Sequence, residues 1–346
     1  MGKRSKDRPA SLHSDPAGPP PLPLPFLDRL ALQFPPATVE EILAGFAAGR
    51  PTVFRINTLL TEEGSCLAEL RAAGLAPSRA AWPDNCWQLD DSLRRQLTES
   101  DAFSRGHIYI QNPSSMLAPI ALAPQAGEKV LDLCAAPGSK TIQMAAMMAN
   151  RGWISAVEPV RDRYHRLAAN LRKHGVTIAH LYQRDGSLVH RFVPEGFDRV
   201  LVDAPCSSEG QFRTAEPDSY RFWHRKKSRE MAAKQKKLLY SGIQCLRPGG
   251  LLLYSTCTLA VEENEEVLDV LLGHFGGALE TVPLHLPCPT LAPLSEWRKR
   301  QFSRQVAHAR RIVPGPLAEG FFLCLLRKTA STVNHHPNES GGPHGM

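Results

Sequence analysis

The sequence predicts an α/β fold, a doubly wound parallel sheet preceded by a smaller α+β unit. Three observations carry this. From about Gly127 onward, apolar runs and amphipathic segments alternate without a break. The apolar runs are continuous rather than every second residue, as in strands buried on both faces. Glycine and proline stand at the joints, including Gly175 and Pro248-Gly249-Gly250. A chain of 346 residues with 42% hydrophobic content can fill one sizeable core and a satellite beside it.

Each element follows in order. EKVLDLC reads as the first strand of the sheet and SKTIQMAAMMA as the helix after it. GWISAVE is a strand, and VRDRYHRLAANLRKHG a helix closed by Gly175. TIAHLYQRD is a weaker strand and FDRVLVDAP a strong one. SREMAAKQKKLLYSGIQCL is a helix, GLLLYSTC a strand, VEENEEVLDVLLGHF a helix and GFFLCLLRK a last apolar strand. Upstream, PATVEEILAGFAAG reads as a helix, VFRINTLL as a strand, and EEGSCLAELRAAG as a helix with Gly74 as its cap. A returning strand passes through Trp87 and Leu89. So short a strand, helix and strand suggests an RRM-like or ferredoxin-like module, or else a cap that only covers the next domain. The expected division is a disordered proline-rich tail over 1–24, an N-terminal domain and linker over 25–118, the sheet domain over 119–330, and a disordered tail over 331–346.

Composition excludes several classes. No stretch approaches the roughly 20 apolar residues of a membrane span. The N-terminus is basic and then proline-rich, without the apolar core of a signal peptide, so a cytoplasmic location and no membrane partner are expected. Lys and Arg number 41 against 34 Asp and Glu, a net +7 that permits an anionic partner. None of the eight cysteines forms a C-x-x-C pair, so no metal site is expected. No repeat is visible, and a monomer is expected.

In doubly wound sheets, ligands bind beyond the carboxyl ends of the strands. The loop after the first strand is Cys134-Ala135-Ala136-Pro137-Gly138-Ser139-Lys140-Thr141. Small residues there let a ligand approach backbone amides at a helix N-terminus. The spacing is neither that of a Walker A loop nor G-x-G-x-x-G. Acids close the next three strands: Glu158, Asp185 and Asp203. Each alone could be a helix cap. Together, above one glycine-containing loop, they suit a nucleoside with a cationic appendage, which S-adenosyl-L-methionine is. The fourth strand runs into Asp203-Ala204-Pro205-Cys206-Ser207-Ser208-Glu209-Gly210, and the fifth into Thr256-Cys257-Thr258. Two thiols on one ligand-binding rim are candidate nucleophiles. Cys134 is better explained by its small size.

LDLCAAPGSKT, DAPCSSEG and YSTCTL followed by EENE resemble the signature blocks of the Sun/Nop family of RNA (cytosine-5)-methyltransferases. Gln111-Asn112-Pro113-Ser114-Ser115, FRIN at 54–57 and EGFF at 319–322 are similar to its other blocks. DAPCSSEGQFR followed by a basic helix is most similar to the bacterial small-subunit rRNA branch, although the chain lacks room for that branch's extra RNA-binding domains.

The resemblance implies a Rossmann-like class I methyltransferase sheet with a small RNA-binding domain before it. It implies S-adenosyl-L-methionine held by the 134–140 loop, Glu158, Asp185 and Asp203. It implies an RNA substrate, rRNA before tRNA, methylated at cytosine carbon 5. Cys257 would attack carbon 6 and Cys206 would assist release; the rival assignment has Cys206 attacking, as in DNA cytosine-5 methyltransferases. Asp203 and Lys140 would polarise the base, which must be unstacked to enter. RFWHRKKSREMAAKQKK, with Arg225, Lys226 and Lys227 and the aromatics Phe222 and Trp223, suits phosphate contacts and base stacking. WRKRQFSRQVAHARR is a second basic stretch of the same kind. The competing functions are a catalytically silent RNA-binding or ribosome-assembly factor and a DNA cytosine-5 methyltransferase.

Overall fold

The structure, a computed structural model, describes residues 21–333. Most of the two expected tails therefore lies outside the described residues. The chain opens with two helices that the sequence reading only half anticipated, α1 (Leu24–Gln33) and α2 (Pro36–Ala47). Both carry proline in the first turn, where a missing N–H costs nothing.

A four-stranded antiparallel sheet follows. Its strands are β1 (Thr52–Ile56), β2 (Ser78–Arg79), β3 (Cys86–Leu89) and β4 (Ile108–Ile110), in the order β2-β3-β1-β4. Helix α3 (Glu63–Ala72) joins β1 to β2, and the short helices α4 (Arg94–Glu99) and α5 (Asp101–Ser104) join β3 to β4. This is the split βαβ order of ferredoxin-like modules. Two of its strands, β2 and β4, are too short to register as patterns in the sequence. The expected strand VFRINTLL ends at Ile56, because Asn57 turns the chain: its carbonyl accepts from the amides of Leu60 and Thr61.

Helix α6 (Pro113–Leu122) leads into the large sheet. Its strands are β5 (Lys129–Asp132), β6 (Trp153–Val157), β7 (Ala179–Tyr182), β8 (Phe197–Asp203), β9 (Leu246–Thr256), β10 (Leu279–Val282), β13 (Arg310–Ile312) and β14 (Phe321–Lys328). The order is β10-β14-β9-β8-β5-β6-β7, with β13 also paired to β14. Helices α7 (Ser139–Met147), α8 (Arg161–Lys173), α9 (Arg225–Cys245) and α10 (Glu265–Phe275) alternate with the strands. A two-stranded ribbon, β11 (Glu296–Trp297) and β12 (Arg300–Gln301), lies in the segment before β13.

The sheet corrects the all-parallel expectation. β5 to β9 are parallel, but β14 enters antiparallel between β9 and β10, and β13 is antiparallel too. An apolar run such as FFLCLLRK carries no directional signal. Direction is set instead by the 279–320 segment, which holds only a short 3-10 helix, Arg304–His308, and no α-helix to return the chain to the same end of the sheet. The β7 strand ends at Tyr182, so Asp185 lies in the turn beyond it. The order reverses between β5 and β8, and the carboxyl ends flanking that switch are where a ligand site belongs.

The core lies on both faces of this sheet. Val200, Val202, Leu252, Tyr254 and Phe322 face α9 and α10. Leu201, Leu253, Leu323 and Val130 face α6 and α7. The α1–α2 hairpin does not join the small sheet. Phe26, Leu30 and Phe46 pack against Phe212 and Tyr220, just past the second cysteine loop of the large domain.

Candidate active site

The 134–140 loop follows β5. The peptide before Pro137 is cis, and Gly138 has φ 113°, a conformation that costs other residues strain. The first turn of α7 has no side-chain cap, so its amides are left for another acceptor. The loop is braced from behind: Arg163 donates to the Ala136 carbonyl at 2.8 Å and Asn170 to the Pro137 carbonyl at 2.8 Å. Uncapped amides at a helix start, with carboxylates on the neighbouring strand ends, fit the carboxylate and hydroxyls of an amino-acid nucleoside such as S-adenosyl-L-methionine.

Of the three acids, Glu158 directly follows β6 and is buried. It accepts from the Val160 amide at 2.9 Å and faces Arg163 at 3.5 Å. Asp185 is exposed and accepts from the Ser187 amide at 2.9 Å. Both therefore do some capping work. Asp203 ends β8 and is not a cap. It holds the Lys140 ammonium at 2.6 Å and accepts from the Ser255 hydroxyl at 2.7 Å. Lys140 also donates to Ser115 at 2.7 Å. Burial works against the ammonium, but the charge and hydrogen bond of Asp203, with Cys257 and Asp132, raise its pKa above the ordinary lysine value.

Sequence reasoning missed Asp132. It is buried at the end of β5, accepts from Thr141 at 2.7 Å, and is pushed up to about 6, chiefly by burial. A lone acid inside the apolar run VLDLC was the available signal.

The two cysteines meet. β8 and β9 pair in parallel with Asp203 opposite Ser255, and the loops that leave them bring Cys206 Sγ to 3.1 Å from Cys257 Sγ. Cys257 Sγ also lies 3.6 Å from Ser208 Oγ. The hydrogen bond to Cys257, then burial, then the charges of Cys257 and Glu263, push the Cys206 thiol well above the ordinary range. Cys134 sits on the loop and is likewise pushed up, mainly by burial.

The EENE block braces these loops. Glu263 accepts from the Ser207 amide and Gln235 Nε2, both at 2.9 Å, and from the Ser207 hydroxyl. Asn264 accepts from Thr256 at 2.6 Å and donates to the Thr258 carbonyl at 3.0 Å, one residue either side of Cys257. Glu265 binds Arg311, whose guanidinium also reaches the Leu259 carbonyl at 3.0 Å. The expected helix over VEENEEVLDVLLGHF is therefore a single 3-10 turn at Val261–Glu263 and becomes α-helical at Glu265. EGFF closes the back: the Gly320 amide donates to Gly210, and a Cβ on Gly210 would stand 2.1 Å from the Gly320 carbonyl oxygen.

The basic segments divide. Arg225, Lys226 and Lys227 occupy the first turn of α9, where Arg225 and Lys226 are exposed; among the described residues, only Lys226 of the three has an ion-pair partner, Glu230 at 3.7 Å. Phe222 is 70% exposed. Trp223 is not a free stacking residue. Its indole donates to Glu209 at 2.8 Å, and it packs on Phe26 and Arg29, the latter ion-paired to Glu209. The second basic stretch is a structural brace. Arg311 is buried on Glu265, Arg300 pairs with Asp269 at 2.6 Å, Arg298 lies 3.7 Å from Glu262, and Trp297 is buried. Acids of the α10 region had already claimed these cations, which a one-dimensional reading cannot see.

The strand order, the glycine-containing loop after the first strand and the acids at the strand ends define a class I methyltransferase fold. A model of the family described as 16S rRNA methyltransferase RsmB/F matches residues 119–327, and the chain belongs to that family. The ribosomal RNA small subunit methyltransferase F of Cronobacter sakazakii is 36% identical over 316 residues, covering 90% of this chain and 64% of the relative. The chain thus spans just under two thirds of that protein's length. The tRNA (cytosine(49)-C(5))-methyltransferase of Pyrococcus abyssi is 43% identical over 230 residues, 65% of this chain and 72% of the relative. A methyltransferase homologue from Pyrococcus horikoshii matches at TM-score 0.69 and 30% identity, covering 89% of this chain and 100% of that one.

Proposed function

We propose that this chain is an S-adenosyl-L-methionine-dependent RNA (cytosine-5)-methyltransferase acting on rRNA. The observation that carries the reading is the pair of thiols 3.1 Å apart, beside the Lys140–Asp203 ion pair. A silent assembly factor has no need of either. The names of the relatives support rRNA first and tRNA second.

Cytosine carbon 5 is a weak nucleophile. Cys257 adds its sulfur to carbon 6 and makes the ring an enamine. Asp203 and Lys140 hold the base's polar edge as charge builds. The 134–140 loop with Glu158, Asp185 and Asp203 would hold S-adenosyl-L-methionine, which would supply the methyl group for carbon 5. The carbon 5 proton then passes to solvent, the carbon 5–carbon 6 double bond re-forms and the Cys257 sulfur leaves, a release that Cys206 assists. The Cys206 thiol is pushed well above the ordinary range, first by its hydrogen bond to Cys257 and then by burial, which suits it less to the attacking role. Arg225, Lys226 and Lys227 bind phosphate, and the small N-terminal sheet contributes to holding the RNA. Cations in the first turn of a helix oppose its dipole, a cost that a phosphate partner would offset. The protein works as a monomer in the cytoplasm. Among the described residues no helix is long and apolar enough to cross a membrane.

The test is covalent trapping. C206A should carry methylated RNA through denaturing electrophoresis, and C257A should not. The reverse pattern would assign the attack to Cys206, as in the DNA enzymes.

A further inference from the structure

We propose that Glu263 is a positioning residue that decides which of the two thiols holds their shared proton: its carboxylate binds Ser207, the residue after Cys206, while the Lys140 ammonium sits on Asp203 at the same rim. The proposal rests on the two-thiol reading above and adds what makes the thiols unequal.

The geometry is one carboxylate joined to both catalytic turns. Glu263 is fully buried and takes the amide and hydroxyl of Ser207, the residue after Cys206. It also faces the hydroxyl of Thr258, the residue after Cys257, at 3.4 Å, and Ser207 and Thr258 are 2.7 Å apart. Gln235 closes the remaining side at 2.9 Å. The negative charge of Glu263 acts on Cys206 and disfavours its thiolate. On the other side, the sulfur of Cys257 favours the charged form of Lys140. A cation near one sulfur and an anion near the other favour the state in which Cys206 donates S–H to a Cys257 thiolate. Two thiols in hydrogen-bond contact would otherwise share the proton nearly evenly.

Among the described residues, the other titratable groups facing this cluster are Asp203 and Asp132, both against Lys140, Glu209 beside Glu263, Tyr254, whose hydroxyl donates to the Glu263 carbonyl, and Cys134, and burial pushes both Tyr254 and Cys134 up, so they stay neutral. Glu263 itself is pushed up to about 7, first by burial and then by Glu209. The two one-proton states of the thiol pair differ only in which sulfur holds the proton. Their ratio therefore changes with pH only if a neighbouring charge changes.

Limiting alkylation with iodoacetamide, read by peptide mass spectrometry on the whole, RNA-free protein, measures that ratio without any turnover. At pH 8.5 the wild type should be alkylated at Cys257 well ahead of Cys206. E263Q keeps the shape and removes the charge, and should lower the Cys257-to-Cys206 ratio by about tenfold, the size of one pKa unit. T258V disturbs the same turn but leaves the charge, and should keep the wild-type ratio. Should E263Q not fold, the wild type suffices. Its ratio should fall between pH 8.5 and 6.5 as Glu263 takes a proton, a window that stays above the titration of Asp132 at about 6. An E263Q ratio equal to the wild type, an equal change in T258V, or a pH-independent wild-type ratio would each overturn the assignment. None of these outcomes depends on RNA methylation, so the catalytic reading stands or falls separately by the trapping experiment.

Discussion

If the 297–311 segment is a brace, its central cation should matter to stability far more than to RNA affinity. Arg311 is 2% exposed; its Nε donates to Glu265 Oε1 at 2.7 Å, a second nitrogen binds the other carboxylate oxygen, and a third reaches the Leu259 carbonyl at 3.0 Å. Replacing Arg311 with Met keeps the volume and leaves the buried Glu265 carboxylate without its cation. Breaking one half of a buried pair costs about 3–5 kcal/mol. Melting temperature should fall by roughly 6 °C or more, at about 2 °C per kcal/mol for a chain of this size. The cost belongs to the abandoned charge, so R311M/E265L should recover most of it, with a coupling energy of about 2 kcal/mol or more. Urea unfolding of wild type, both single variants and the double variant gives all four corners. Additive single effects, or an R311M loss below about 1 kcal/mol, would refute the argument. So would an R311M protein of native stability that has lost RNA binding.

Three further outcomes follow from the site. E158A should weaken S-adenosyl-L-methionine binding by about 1–3 kcal/mol in calorimetry, and unchanged affinity in a folded variant would remove Glu158 from the cofactor site. Neutral replacement of Arg225, Lys226 and Lys227 should weaken RNA binding and flatten its salt dependence by about one unit of slope per lost phosphate contact, with cofactor affinity unchanged in the same preparation. Glu263 ionises at about 7 in the folded protein against an ordinary 4.5, so below the lower value the folded state carries no buried charge, and the advantage is lost as pH rises through about 7. The melting temperature of wild type minus that of E263Q should therefore rise as pH falls from 8 to 5, and a flat difference would mean the carboxylate is not held neutral.

Much of this was legible because buried parallel strands write themselves as apolar runs. KVLD, WISAV and FDRVLVD place their own carboxyl ends, and the residues that follow, Cys134, Glu158 and Cys206, are thereby placed on one rim. What stayed hidden was whatever depends on a partner far along the chain. Trp223 next to four cations reads as a stacking residue, yet Glu209 and Phe26 hold it. Arg298, Arg300 and Arg311 read as a basic face, yet each has an acid from the α10 region. Glu263 reads as the start of a helix because acids are common there, and its carboxylate instead spans two loops.

The FRIN strand illustrates how such a partner can still be read. In β1, Phe54 and Ile56 point into the small sheet's own core with Leu67, Leu70 and Leu75. Arg55 and Asn57, on the alternate face, are equally buried. Arg55 donates to Gln111 at 3.0 Å and to the Ser139 carbonyl of the cofactor loop at 3.2 Å, over the ring of Tyr109. Asn57 donates to Gly106 at 2.9 Å and to the His174 carbonyl past the end of α8 at 3.0 Å. A polar face that is fully buried cannot be a solvent face, and its hydrogen bonds must end on another unit. An apolar–polar alternation therefore has two readings, and burial separates them: a half-wet strand, or a strand between two domains. Here it is the second, so two side chains two residues apart tie the small sheet to the 134–140 loop and to the end of α8. RNA held on that sheet would meet the thiol pair in a constant register.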